Sequence, residues 1–170
     1  IIQRFDILDE KDLKSIEDFI LTNAVEEPEK SPIGNFLDTN IGHWILIPKL
    51  RKVFQELGMD TPVSVQCWAN IFKEDEGTTH HNHYHEGLHG YSAHIFISGP
   101  SDIGTWYEED GRYERDINVP GELVVFPTDL NHYVPKNIYD KSRITLALDM
   151  YPGIHRKEYG NVKIQGAVGR

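Results

Sequence analysis

Cysteine is nearly missing from this chain: Cys67 is the single one among 170 residues. A lone thiol excludes an internal disulfide framework and fits a reducing compartment, so a cytoplasmic location is expected. No long apolar run is present, which excludes a helical membrane span. No signal-peptide pattern opens the chain, which starts at Ile1-Ile2 without methionine, as a trimmed start would. Clusters of lysine and arginine are absent too, against a formal net charge of −10. An acidic, self-repelling surface tracks a phosphate backbone poorly, so direct nucleic-acid binding is not expected. Phosphate-binding glycine loops, CxxC pairs and nucleophile–base motifs are also missing, which removes NTPase, thiol-redox and hydrolase readings. Nothing in the sequence sets an oligomeric state.

What is present is enough chain for one domain with a real core, expected to span 1–170. Residues 1–61 read as a helical flank with a loop. Asp9 has the look of an N-cap, with Asp12 at the capping-box spacing, and Leu13, Ile16, Phe19 and Ile20 recur at helical period to about Leu21. Residues 23–43 are polar and punctuated by Pro28, Pro32 and Gly34, which predicts a long loop and a candidate lid. A second helix is expected between Pro48 and Gly58, with Leu50, Val53, Phe54 and Leu57 as its apolar stripe.

From residue 62 to 152 the period changes to two, and this segment is expected to be the β core, with 153–170 a tail. Val63, Val65, Cys67, Ala69 and Ile71 alternate with Ser64, Gln66, Trp68 and Asn70. Cys67 falls on the apolar face, where a thiol is a small hydrophobe. Further strands are expected at 91–98, 104–108, 122–126, 133–135 and 143–151, with turns at Gly99-Pro100, Asp110-Gly111 and Pro120-Gly121. Two helices followed by many short strands predict an α+β fold built on a small barrel or double-sheet jelly roll.

The chemistry concentrates in Thr79-His80-His81-Asn82-His83-Tyr84-His85-Glu86, where four of the nine histidines fall within six residues. On extended chain, residues two apart point to the same side, so His81 with His83, or His83 with His85, can aim at one point. His132, about fifty residues on, would close a three-imidazole metal site. The strand 143–151 carries the second signal. Ile144, Leu146, Leu148 and Met150 share one face, while Arg143, Thr145, Ala147 and Asp149 share the other. An arginine inside a small barrel is costly unless it holds an anion. A guanidinium fork suits a carboxylate, with the Thr145 hydroxyl beside it; the structural alternative is an internal salt bridge, for instance to Asp149.

Several segments together resemble the Fe(II)/2-oxoglutarate-dependent dioxygenases, in particular the short oxygenases of bacteria and their phages. They are Cys67-Trp68-Ala69-Asn70-Ile71, Gly77, His81-Asn82-His83, Ser92-Ala93-His94-Ile95-Phe96, Pro120 through Pro127, His132, and Arg143-Ile144-Thr145. The most specific part is the distal one, an arginine eleven residues past a histidine with a hydroxyl two further on. The resemblance implies a double-stranded β-helix (a cupin-like jelly roll) with flanking N-terminal helices. It implies Fe(II), 2-oxoglutarate as co-substrate and O₂, with His132 a metal ligand and Arg143 with Thr145 the co-substrate clamp. Trp68 and Asn70 then lie where co-substrate or substrate contacts are made. The implied activity is hydroxylation of a small molecule or peptide.

One departure stands out. The family's first ligand pair is His-x-Asp or His-x-Glu, and the cluster contains no such pair. Three ligand sets follow: His81, His83 and His132; one of the first two with Glu86; or His83 and His85. The offset from Gly77 favours the first, leaving His85 a neighbouring group and His80 on the surface. A three-histidine cupin dioxygenase that needs no 2-oxoglutarate, and a non-catalytic metal-binding jelly-roll module, are the alternative functions. The acidic run Glu108-Glu109-Asp110, with Glu114 and Asp116, is expected to be solvated surface.

Overall fold

The computed structural model describes residues 2–24, 35–59, 62–87 and 89–153. Strand β1 (Gln3–Asp6) leads into helix α1 (Glu10–Asn23), and helix α2 (Ile47–Glu56) precedes seven further strands. These are β2 (Val63–Phe72), β3 (Tyr91–Ser98), β4 (Trp106–Glu109), β5 (Arg112–Arg115), β6 (Glu122–Pro127), β7 (Asn131–Tyr133) and β8 (Arg143–Pro152).

Helix α1 starts where the sequence says it should. The Asp9 side chain accepts from the Asp12 N–H at 2.8 Å and Asp12 reaches back to the Asp9 N–H, so two otherwise orphan donors are satisfied. The predicted loop over 23–43 is only partly a loop. A short 3₁₀ turn occupies Phe36–Asp38, and a π-helical turn, Gly42–Leu46, runs straight into α2. Helical backbone therefore begins upstream of Pro48. A Cβ on Gly42 would sit 2.1 Å from the Phe36 carbonyl oxygen, so this close fold-back requires glycine. Residues 25–34 of that loop, and the tail beyond 153, lie outside the described residues.

All strand pairs are antiparallel, in a five-stranded sheet ordered β1-β6-β3-β8-β2 and a three-stranded sheet ordered β5-β4-β7. The period-two alternation puts opposite faces of the large sheet to opposite uses. Cys67, Ala69, Ile95, Leu123, Val125, Leu146, Leu148 and Met150 pack with Ile16, Ile20, Leu50 and Val53 of the helices in one core. The other face turns towards the small sheet, and between them the two sheets form a double-stranded β-helix around a cavity. Register aligns that inner face: Trp68 pairs with Ala147, Asn70 with Thr145 and Phe72 with Arg143.

Strands β1 and β5 are not among the strands expected from periodicity. β1 is four residues with a single apolar side chain, held by pairing to β6. β5 is exposed at every position and exists as the return of a hairpin, whose turn at Asp110-Gly111 takes φ of 51° and 76°. β7 begins at Asn131 rather than Tyr133, which places His132 within a strand. No helix among the described residues is long and apolar enough to cross a membrane.

Candidate active site

His132 lies on β7, and the extended segment before β3 runs beside it. His81 and His132 exchange both backbone hydrogen bonds, at 3.0 and 2.9 Å. Two residues on, the His83 N–H donates to the Thr128 carbonyl at 2.8 Å. Bonds at alternate residues hold the segment extended, so His81 and His83 project to the same side as His132. The ring centroids of the three lie 5.3 Å (His81–His83), 4.3 Å (His81–His132) and 5.1 Å (His83–His132) apart. One nitrogen from each falls within 4.8 Å of the others.

Each ring has its Nδ1 already engaged. His81 Nδ1 contacts the Thr79 carbonyl at 2.7 Å, His132 Nδ1 the Leu130 carbonyl at 2.9 Å, and His83 Nδ1 the Asp149 carboxylate at 3.1 and 3.2 Å. All three partners are acceptors, so Nδ1 carries the proton and Nε2 presents a lone pair. Three neutral imidazoles converging on one point are a donor set for a divalent transition metal. Burial, partly opposed by the bond to the Leu130 carbonyl, pushes His132 down to about 3, so it stays neutral and able to ligate.

Below the histidines is a cavity of about 210 Å³, lined by residues of both sheets, among them Trp68, Asn70, Arg143 and Thr145. Arg143 is 2 % exposed. Its Nη2 has two weak neutral partners, Asn118 Oδ1 at 3.3 Å and Thr105 Oγ1 at 3.5 Å, and its Nε has none. Among the described residues no carboxylate lies within salt-bridge distance of it. Asp149, the structural alternative, is committed to Ser92 and His83. Burial lowers Arg143 to about 10, partly opposed by Tyr107 and Asp116, so at neutral pH it remains a cation without a counter-ion.

Asp116 departs from the expectation of a solvated acid. It is 2 % exposed, ion-paired with Arg4 of β1, and accepts the Ile117 N–H at 2.8 Å. Strand β1, absent from the periodicity, is what brings the cation that makes this burial possible. Beside it His94 lines the cavity, its Nε2 hydrogen-bonded to the Tyr107 hydroxyl and its Nδ1 without a partner.

Of the remaining sequence candidates, Trp68 stacks on His83 with centroids 6.0 Å apart, and so belongs to the cavity rather than to the apolar core. Phe96 is buried. His85 and Glu86 are exposed and outside the cluster, with the His85 ring near Tyr151 instead. His80 faces outward onto Tyr133, at 4.3 Å. Thr105 and Asn118 are the site residues without a sequence signal, because each acts through a contact more than a dozen residues away in sequence; Ser92 lies in one of the resembling segments, but its partner Asp149 is 57 residues away.

The sequence matches no protein-family model and no curated protein. Among solved structures the fold is shared with a 2OG-Fe(II) oxygenase family oxidoreductase from Burkholderia pseudomallei, at 16 % identity and TM-score 0.68, covering 89 % of this chain and 84 % of that one. It is shared with HygX from Streptomyces hygroscopicus, solved with nickel and 2-oxoglutarate bound, at 10 % identity and TM-score 0.71 over 90 % and 82 % of the two chains. A prolyl-4-hydroxylase from Pseudomonas putida aligns at 15 % identity and TM-score 0.63, over 88 % and 84 %. At these identities the likeness establishes the fold, the double-stranded β-helix, alone.

Proposed function

We propose that this chain is an Fe(II)- and 2-oxoglutarate-dependent oxygenase that hydroxylates a small molecule or peptide. The observation that carries the reading is the pairing of two unmet needs in one cavity. Three imidazole nitrogens converge at one end, and a buried guanidinium without a counter-ion waits at the other.

The residues present fit both groups. His81, His83 and His132 would hold iron through Nε2. Arg143, with its unpartnered Nε, and Thr145 on the same inner face would hold the distal carboxylate of 2-oxoglutarate. Bound together, iron and 2-oxoglutarate supply O₂ activation, coupling decarboxylation of the keto acid to oxidation of a substrate C–H bond. The chain's own part is orientation and exclusion. Trp68 keeps the His83 ring from rotating, while Phe72, Phe126, Val134 and Ala147 wall the cavity and keep water from the guanidinium. Asn70, on the same inner face, offers an amide to co-substrate or substrate.

Anaerobic titration with Fe(II) and then 2-oxoglutarate tests this. The expected result is a charge-transfer colour that requires both, is lost in His132→Ala, and needs far more 2-oxoglutarate in Arg143→Gln. A colourless titration of protein that still binds the metal overturns it, and favours a three-histidine centre that works without the keto acid.

A further inference from the structure

Asp149 is a buried group in direct contact with one of the histidines whose presence metal ligation alone does not explain. It lies on the inner face of β8, 5 % exposed, and among the described residues no lysine or arginine is within salt-bridge distance. A carboxylate removed from water without a cation is unfavourable unless something else supplies positive charge. Its two contacts are specific: Oδ1 accepts the Ser92 hydroxyl at 2.8 Å, and the carboxylate straddles His83 Nδ1 at 3.1 and 3.2 Å. Ser92 is its register partner on β3, so the hydroxyl fixes the carboxylate from the neighbouring strand.

The three histidines are therefore not equivalent. The Nδ1 protons of His81 and His132 go to neutral backbone carbonyls; that of His83 goes to an anion. A carboxylate acceptor pulls on the Nδ1 proton, makes Nε2 a stronger donor and fixes the ring plane. The rest of His83 is gripped as firmly: its N–H donates to Thr128, its carbonyl accepts from the Tyr151 hydroxyl at 3.0 Å, and Trp68 covers its ring. Three neutral imidazoles bring no charge to a divalent ion, and Asp149 places one negative charge a single residue behind them.

We propose that Asp149, held by Ser92, is a positioning residue of the metal centre: it orients His83, strengthens it as a donor, and compensates the ion's charge through the imidazole. This rests on the reading of His81, His83 and His132 as ligands. It does not require that the reaction use 2-oxoglutarate.

The test is anaerobic titration of chelator-stripped protein with Co(II), following d–d absorption and affinity, for wild type, Asp149→Asn, Ser92→Ala and His132→Ala. Wild type should take up one Co(II), and His132→Ala should lose it. Asp149→Asn should keep the one-to-one stoichiometry, bind about 10- to 100-fold more weakly, and show shifted d–d bands. Ser92→Ala, which leaves the carboxylate but frees it, should weaken binding in the same direction by less, and decides the matter if Asp149→Asn does not fold. If Asp149 merely ties β3 to β8, the substitutions lower the melting temperature but leave Co(II) affinity and spectrum unchanged, which overturns the inference alone. Failure of wild type to bind Co(II) overturns the ligand reading as well. A normal Co(II) response with no 2-oxoglutarate colour removes the oxygenase reading and leaves Asp149 in place.

Discussion

Arg143 shows most directly how one side chain links stability to function. Lowered from 12.5 to about 10 by burial, its charged form is disfavoured in the folded chain by about 3 kcal/mol at neutral pH. A structural arginine would have relieved that with a carboxylate; this one has only Thr105 and Asn118. Arg143→Met should therefore leave the metal-free protein at least as stable as wild type in urea unfolding, where truncating a paired buried cation costs about 3–5 kcal/mol. The same substitution, or Arg143→Gln, should weaken 2-oxoglutarate binding by at least about 30-fold, since losing one side of a buried charge pair costs 2–5 kcal/mol. Equilibrium unfolding and titration of the keto acid measure the two effects separately. A large stability loss without a binding defect would make Arg143 a structural residue. At this scale much was legible beforehand: strand parity alone puts Trp68, Asn70, Arg143 and Thr145 on one inner face. Parity is silent on which residue across the barrel meets which, so Asn118 and Thr105 had no signal and Asp116 was misplaced on the surface.

Elements with a strong period or a specific cap were the readable ones. Both helices and the long strands β2, β3, β6 and β8 announce themselves, because each buries a full face and must alternate to do so. Strands β1 and β5, four residues each and mostly exposed, are fixed by their neighbours rather than by their own composition. The capping box gives a local prediction. Asp9→Ala removes a 2.8 Å bond at the start of α1 and should cost about 1 kcal/mol in unfolding free energy, with no change in metal affinity. Gly77 gives a less local one. A Cβ there would stand 2.6 Å from the Val134 carbonyl oxygen and 2.9 Å from the Pro135 backbone. Next to it, the Thr78 N–H donates to the Val134 carbonyl at 2.9 Å and the Thr78 hydroxyl accepts from the Val134 N–H at 2.8 Å, so this is where the histidine segment is seated on the chain just past β7. Gly77→Ala must push the two apart. It should destabilise by about 1–3 kcal/mol and separate His81 and His83 from His132, weakening Co(II) binding about tenfold or more although no ligand is touched. Co(II) affinity equal to wild type would mean that the segment is held from its far end, through Thr128 and Tyr151.

For the molecule as a whole, two acid-dependent effects oppose each other. With a net charge of −10, protonating exposed carboxylates relieves self-repulsion and favours folding. The buried imidazoles act the other way. His132 is held at about 3, and His94 lies well below its usual value through burial, with the charges of Arg143, His132 and Arg4 adding to it. Asp116, 3.8 Å from His94, does not reverse this, its charge being committed to Arg4. In the unfolded chain both histidines titrate near 6.5, so below that pH the unfolded state binds protons that the native state does not, and stability falls as pH falls. Between pH 6.5 and 5 His132 alone contributes a loss of roughly 2 kcal/mol and His94 adds to it in the same direction, against surface repulsion largely screened at physiological salt. The imidazoles should win. The metal-free protein is therefore expected to lose stability steeply from pH 7 to 5 at 0.15 M salt, which urea titrations at several pH values would show. His94→Leu, which cannot take up a proton in either state, should make the slope shallower over that range. A slope identical to wild type would mean that His94 is already charged in the fold, with Asp116 rather than the Tyr107 hydroxyl as its effective partner.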